Sequence, residues 1–220
     1  MTQRTGNAIV TRTALVMAVF LCVGAVGSTA SADMLYYDGM GKKAAVGIEA
    51  DGMLADGKKV HAGQLRLRYQ DESYLGWCVD LDHYVGTGEV EEWSYSTLNH
   101  ADEVAYLFET YADDVVSGRD AAGLQAAIWE VINETSGTFD VTDGYFQISQ
   151  NGAAVQEANG LLATLPGSYT PQTELLVLHS DTKQDVLIGT GRPNPVPEPA
   201  TVVLLLAGGA FAVHRRRKLA

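Results

Sequence analysis

The sequence predicts an α+β fold: an antiparallel β sandwich or barrel with a two-helix insertion, followed by a short hydrophobic helix at the C-terminus. Three observations support this fold class. Residues 64–69 alternate polar and apolar side chains, which is typical of a half-buried strand. Two apolar stretches, 174–179 and 185–188, flank a polar turn and predict a β-hairpin. Between residues 99 and 134 the apolar positions recur with the spacing of a helix.

The first third of the domain is predicted to consist of strands separated by turns. Short apolar runs predict strands at 34–37 and 44–48, and the Asp-Gly pairs at 51–52 and 56–57 predict turns. A further strand is predicted over 74–81, where Cys78 alternates with Trp77 and Val79 across the two faces. These strands supply most of the predicted sheet.

The middle of the domain is predicted to be helical. Asn99 is the expected N-cap of the first helix, with Asp102 three residues later, and Asp120 is the expected cap of a second helix over 121–134. Beyond it, the pattern predicts a strand at 145–148 and a helix at 153–162.

The N-terminal 32 residues have the composition of a secretory signal peptide. Arg4 and Arg12 precede an apolar stretch over 14–26, and small residues follow up to Ala32. The apolar stretch is shorter than the roughly 20 residues that a membrane-spanning helix needs. We therefore expect cleavage after Ala32, leaving an exported domain over residues 33–192.

The C-terminal end has three features in a fixed order. A Pro-rich linker over 193–199 contains Pro197, Glu198 and Pro199, an apolar segment covers 200–213, and a basic tail over 214–220 closes the chain. The tail includes Arg215, Arg216 and Arg217. Basic residues beside an apolar helix remain on the cytoplasmic side of a membrane.

This terminus resembles the PEP-CTERM sorting signal. The resemblance implies a hydrophobic sorting helix over 200–213, at least transient membrane anchoring, and processing by an exosortase-type membrane protease. It also implies a cell-surface or exopolysaccharide-matrix location in a bacterium with a Gram-negative-type envelope. The alternative interpretation is an ordinary C-terminal membrane anchor in which Pro-Glu-Pro occurs by chance.

The exported domain is strongly acidic. It holds 9 Lys and Arg residues against 26 Asp and Glu residues. Nucleic-acid binding rests on cations that neutralise phosphates, so this balance argues against a nucleic-acid partner. Most of the carboxylates are expected to form a solvated surface, and cation binding or a cationic partner are the other roles compatible with such a charge.

Cysteine usage leaves one unpaired thiol. Cys22 lies in the predicted signal peptide, so the mature domain retains Cys78 alone and cannot form an internal disulfide. A single thiol in an oxidising compartment is open to oxidation unless it is buried, bound to a metal or otherwise capped. Cys78 therefore needs either burial or a chemical partner.

Gln125 is the candidate partner. On the predicted second helix it shares a face with Ala121, Ala122, Ile128 and Trp129, one turn before and after it. A glutamine on such an apolar face is expected to be buried, and a buried amide needs hydrogen-bonding partners.

The two segments together resemble the thioester domains of bacterial surface adhesins. The matching residues are Trp77-Cys78 and the segment Gln125-Ala126-Ala127-Ile128-Trp129, while Leu124 stands where that family usually has Thr. The resemblance implies an internal thioester between Cys78 and Gln125, supported by Trp77, Ala127, Ile128 and Trp129. It also implies covalent capture of an amine or hydroxyl on a surface or polysaccharide target, with no cofactor.

Two alternatives remain open. In the first, the protein is a non-covalent structural component of the extracellular matrix, with Cys78 simply buried in the core. In the second it is a polysaccharide-acting enzyme, but no catalytic motif supports this, so we expect no enzyme activity. Asp80, Asp82 and His83 could bind a cation, assist the thioester or form an exposed acidic turn, and no zinc-type histidine pair is present.

Overall fold

The computed structural model describes residues 33–135 and 137–193 of the 220-residue chain. The predicted signal peptide, most of the Pro-rich linker, the sorting helix and the basic tail lie outside these residues. Within the described ranges, no helix combines the length and apolar character needed to cross a membrane.

The described residues form a mixed fold of seven strands and three α-helices, which confirms the predicted α+β class. A short 3₁₀ turn covers Tyr95–Thr97. In chain order the elements are β1 (Asp33–Glu49), β2 (Lys59–Tyr69), β3 (Glu72–Cys78), β4 (Gly88–Ser94), α1 (Ala101–Tyr111), α2 (Gly118–Asn133), β5 (Gln147–Ser149), α3 (Gly152–Leu162), β6 (Thr173–His179) and β7 (Val186–Pro193).

Six of the strands close into a ring of antiparallel pairs. The order β2-β3-β7-β6-β4-β1 returns to its start because β1 pairs with both β4 and β2. Residues Asp33 to Leu35 of β1 lie on β4, whereas Tyr36 to Gly47 follow β2. Each of the six strands thus pairs with two neighbours, although β3 pairs with β7 only at Trp77 and Cys78, and the short strand β5 adds beside the end of β1.

The strand β1 unites two predicted strands, 34–37 and 44–48, into a single bent element. Its pairing with β2 shifts register on either side of Met40, and Gly39 has a positive φ of 97°. Such bulges bend and twist a strand, which allows β1 to pass from one partner to another. Glycines and lysines in the middle of β1 resemble a turn in the sequence, so the continuity was not predicted.

The strand β4 was not predicted. Of its seven residues only Val90 is buried, and three are glutamates, so the sequence offers no run of apolar residues. The strand forms because its backbone is paired on both sides, with β6 and with the start of β1.

Helix α2 lies almost entirely in the interior, with every residue from Ala121 to Ile132 buried. It begins three residues before the predicted start, and Asp120 is not the N-cap as predicted. Ser117 is the N-cap, and Asp120 completes a reciprocal capping box with it. The cap fixes where α2 begins. It therefore also fixes the position of Gln125, along the helix axis, relative to the sheet.

The predicted cap of α1 was also wrong. His100 is the N-cap, in a left-handed conformation with φ of 50° and without a side-chain cap bond. The amide of Asn99 instead donates to the carbonyl of Ile132 at 3.2 Å. Asn99 therefore ties the start of α1 to the end of α2.

Close packing of α3 against α2 depends on Gly123. A Cβ at this position would lie 2.5 Å from Cβ of Glu157 and 3.3 Å from the backbone nitrogen of Ala158. Overpacking of this kind displaces neighbouring backbone. The glycine therefore lets α3 pack closely against α2.

Candidate functional site

Cys78 is the last residue of β3, at the point where the sheet loses a neighbour. On one side β3 pairs with β7, with Trp77 opposite Leu187 and Cys78 opposite Val186. On the other side its pairing with β2 stops at Gly76. The backbone groups of Cys78 on that side therefore need another partner.

The side chain of Gln125 is that partner. Its Oε1 accepts a hydrogen bond from the backbone N–H of Cys78 at 3.0 Å, and its Nε2 donates to the carbonyl of Cys78 at 2.8 Å. The amide thus occupies the position of a neighbouring strand. Both residues are buried, with exposed fractions of 1% for Gln125 and 3% for Cys78.

The sulfur of Cys78 is held by two further polar contacts. The indole N–H of Trp129, one helical turn after Gln125, donates to Sγ at 3.4 Å, and Sγ donates to the carbonyl of Asp80 at 2.7 Å. Burial raises the pKa of the Cys78 thiol far above its ordinary value, which outweighs the opposing effect of the Trp129 donor. The sulfur is therefore a neutral thiol at physiological pH.

A cavity of about 290 Å³ opens beside the pair. Cys78, Gln125 and Trp129 line one part of it, and His83 and Tyr84 line another. Although both side chains are buried, a molecule in this cavity would adjoin them.

Asp80 organises the polar side of the cavity. Its carboxylate contacts Nδ1 of His83 at 2.7 Å. Its backbone carbonyl accepts hydrogen bonds from the Cys78 thiol and from Nε2 of Gln184. Asp82 accepts a hydrogen bond from the backbone N–H of Leu54. Throughout the described ranges, no group of three or more His, Cys, Asp or Glu side chains is placed to hold a metal ion.

The remaining predicted supporting residues lie away from the sulfur. Trp77 is buried on the opposite face of β3, in a separate cleft with Phe108 of α1. Ala127 and Ile128 are fully buried in the core and do not line the cavity. Of the residues that the resemblance implied, the structure brings together Cys78, Gln125 and Trp129.

Sequence reasoning missed the buried carboxyl group of Glu130. Its Oε1 accepts a hydrogen bond from the backbone N–H of Asp140 at 2.8 Å, whereas its Oε2 is buried without a partner among the described residues. Burial raises the pKa of Glu130 to about 7, and the charges of Glu134 and Asp140 act in the same direction. The signal in the sequence was a glutamate inside an otherwise apolar run.

This carboxyl group predicts a pH-dependent stability. A raised pKa in the folded state means that the stability contribution of Glu130 is complete below its ordinary pKa of 4.5 and is lost as the pH rises through 7. The free energy of unfolding of Glu130→Gln, relative to that of the natural protein, should rise by about 2 kcal/mol when the pH is raised from 5 to 8, allowing for partial screening. Chemical denaturation at both pH values measures this difference, and an unchanged difference would contradict the prediction.

Comparison with known proteins identifies the C-terminus. The family model described as the PEP-CTERM protein-sorting motif matches residues 195–218. The chain carries a PEP-CTERM sorting motif. This confirms the prediction for that end of the chain, and identifies an exported, envelope-associated protein that is processed by exosortase.

No curated protein matches the chain. Among solved structures, the chain is similar to the N-terminal domain of the Streptococcus pyogenes pilus tip adhesin Cpa, with 14% identity and a TM-score of 0.39. The match covers 66% of this chain and 92% of that one.

Proposed function

We propose that the exported domain is a single-use covalent adhesin in which Cys78 and Gln125 form an internal thioester. The observation that carries the proposal is the placement of the Gln125 amide on Cys78, by two hydrogen bonds, in a buried position that adjoins a cavity. A thioester is an activated acyl group, so orientation and shielding from water are the main requirements for its chemistry.

Formation of the bond is a balanced condensation. Sγ of Cys78 attacks Cδ of Gln125, the C–N bond of the amide breaks, and the thiol proton leaves with the amide nitrogen as ammonia. The N–H of Cys78 already donates to Oε1 of Gln125, so it is placed to stabilise the negative charge that develops on that oxygen. The indole N–H of Trp129 holds Sγ of Cys78 by a hydrogen bond.

Capture of a target then consumes the thioester. A hydroxyl or amine in the cavity attacks the carbonyl carbon of residue 125, the C–S bond breaks, and Cys78 regains its proton as a free thiol. His83 is held by Asp80 and lines the cavity, so it can accept the proton of an incoming hydroxyl. Each molecule reacts once, so the domain is a binding protein and not a turnover enzyme.

The sorting motif supports the setting of this chemistry. An exported protein processed at the membrane meets polymers of the envelope and surrounding matrix, which carry hydroxyl and amine groups. We propose that the target is an extracellular polysaccharide or a surface amine or hydroxyl of this kind. Capture would fix the domain to its target with a bond that survives dilution and washing.

Intact mass spectrometry of the purified mature domain tests the proposal. We expect a mass about 17 Da below the calculated value, which corresponds to the loss of one ammonia in a covalent modification. Addition of methylamine should then raise the mass by the full mass of the amine and release one titratable thiol. Neither effect should occur in Cys78→Ala or Gln125→Ala, while Gln64→Ala, which removes another buried glutamine, should leave both intact.

A second candidate function rests on the same hydrogen bonds. The Gln125 amide satisfies the backbone of Cys78 without any covalent bond, and burial keeps the thiol neutral and inert. In that case the domain is a non-covalent structural protein of the extracellular matrix. An unmodified mass with one thiol that titrates after unfolding would select this function and reject the thioester.

A further inference from the structure

The cavity beside Cys78 and Gln125 differs in charge from the rest of the domain. Among its lining residues are Lys58, just before β2, and Lys59 and His61 at the start of β2, and none is an aspartate or glutamate. The exported domain as a whole has 26 acidic and 9 basic residues. A cavity without carboxylates is therefore a departure from the general composition of the surface.

Three other clefts in the described part of the chain follow the general composition. One is lined by Glu109 and Asp113, and another by Glu89, Glu91 and Asp181. The third contains four aspartates, at positions 80, 82, 181 and 185. The cationic lining is thus a local property of the cavity at the Cys–Gln pair.

The cationic groups are held beside an exposed aromatic ring. Nζ of Lys58 donates to the hydroxyl of Tyr84 at 3.3 Å and lies 5.7 Å from the ring centroid, and 68% of Tyr84 is exposed. Among the described residues, neither Lys58 nor Lys59 forms an ion pair with a carboxylate. The lysine charges therefore remain available to a ligand.

We propose that this cavity binds an anionic glycan, a sugar chain that carries carboxylate groups. The apolar walls formed by Met40, Leu81 and Val85, with the Tyr84 ring, suit the faces of sugar rings, while Lys58 and Lys59 pair with the carboxylates. A lysine side chain of a protein target would bring a third ammonium into the same space, which like-charge repulsion opposes. An acidic peptide offers few hydroxyls, whereas each ring of an acidic glycan offers them beside its charge.

This inference deepens the proposed function and rests on it for the covalent step. A ring hydroxyl of the bound glycan would attack the carbonyl of the thioester, with its proton passing to His83 and the C–S bond breaking. The product is an ester between residue 125 and the glycan. The binding step, in contrast, requires no thioester and can be tested alone.

The test uses the mature domain with Cys78→Ala, which cannot form a thioester. Isothermal titration calorimetry compares tetragalacturonate with a neutral galactose tetramer. We expect at least about 10-fold tighter binding of the anion, with the preference lost at high salt because screening weakens exposed charge pairs. Lys58→Gln/Lys59→Gln should abolish the preference, whereas Lys43→Gln/Arg66→Gln, which removes the same charge outside the cavity, should preserve it.

The possible results test the anionic-glycan site and the thioester independently. Equal binding of the two sugars, or equally tight binding of tetraglutamate or tetralysine, overturns the anionic-glycan site. A mass 17 Da below the calculated value together with no preference for the anion would leave the thioester standing and reject only the glycan. A preference for the anion without the mass change would support the glycan site and reject only the thioester.

Discussion

Replacement of His83 by glutamine is expected to slow acyl transfer from the proposed thioester to a hydroxyl by about 10²- to 10⁴-fold, the usual contribution of a positioned general base. The loss of 17 Da should persist, because His83 contacts Asp80 and takes no part in the bond between Cys78 and Gln125. Transfer to glycerol, followed by intact mass over time, measures the rate. Asp80→Asn should produce a smaller defect through loss of the orienting contact.

Reaction with a second nucleophile distinguishes a proton-transfer role of His83 from a general disturbance of the cavity. Methylamine at high pH is already a neutral amine and needs no base to generate the attacking form. Its rate of reaction should therefore be nearly the same in His83→Gln and in the natural protein. Equal slowing with glycerol and methylamine would show that the substitution has only disturbed the cavity, and an unchanged rate with glycerol would remove His83 from the mechanism.

Gln125→Leu is expected to destabilise the domain by about 2 to 5 kcal/mol. The substitution leaves the N–H and the carbonyl of Cys78 buried without partners on that side, and each unsatisfied group costs about 1–3 kcal/mol. The measurement is urea denaturation in the Cys78→Ala background, where the loss of a cross-link cannot contribute. A change below about 1 kcal/mol would show that water reaches these groups.

Gln64→Leu in the same background is the matched control. Gln64 is also a buried glutamine, with 5% of its area exposed, but its Oε1 accepts one long hydrogen bond of 3.3 Å from the backbone of Lys42. We expect a smaller loss of about 1 kcal/mol for this variant. The difference between the two variants isolates the contribution of the paired amide from the general effect of changing a buried glutamine.

The candidate pair could be found in the sequence because its residue types are rare there. One cysteine remains in the exported domain, and Gln125 interrupts an apolar helical face. Their proximity could not be derived from local patterns, since 47 residues separate them and the contact depends on where β3 ends. Alternation showed that Trp77 and Cys78 face opposite sides, but only the fold shows that Cys78 is the residue that meets α2.

The network around the pair was less accessible to sequence reasoning. Asp80, Asp82 and His83 were noted as a polar turn with three possible roles, and the structure connects Asp80 to both the thiol and His83. The bond from the thiol uses the backbone carbonyl of Asp80, and a backbone carbonyl carries no signal in the sequence. The helix caps were misplaced for a related reason, because Ser117, Asp120 and Asn99 are all good capping residues and tertiary contacts select among them.

The closed ring of strands has a mechanical consequence. The chain that follows Pro193 carries the sorting motif, so under the proposed function tension between the envelope and a captured target would enter the domain at the end of β7. That strand is hydrogen-bonded on one side to β6 and on the other to β3 beside Cys78. Pulling along β7 therefore loads both ladders together in shear, so the bonds must yield as a group and cannot open one after another. The strand that leads to the sorting motif is also the strand that pairs with β3 at Cys78.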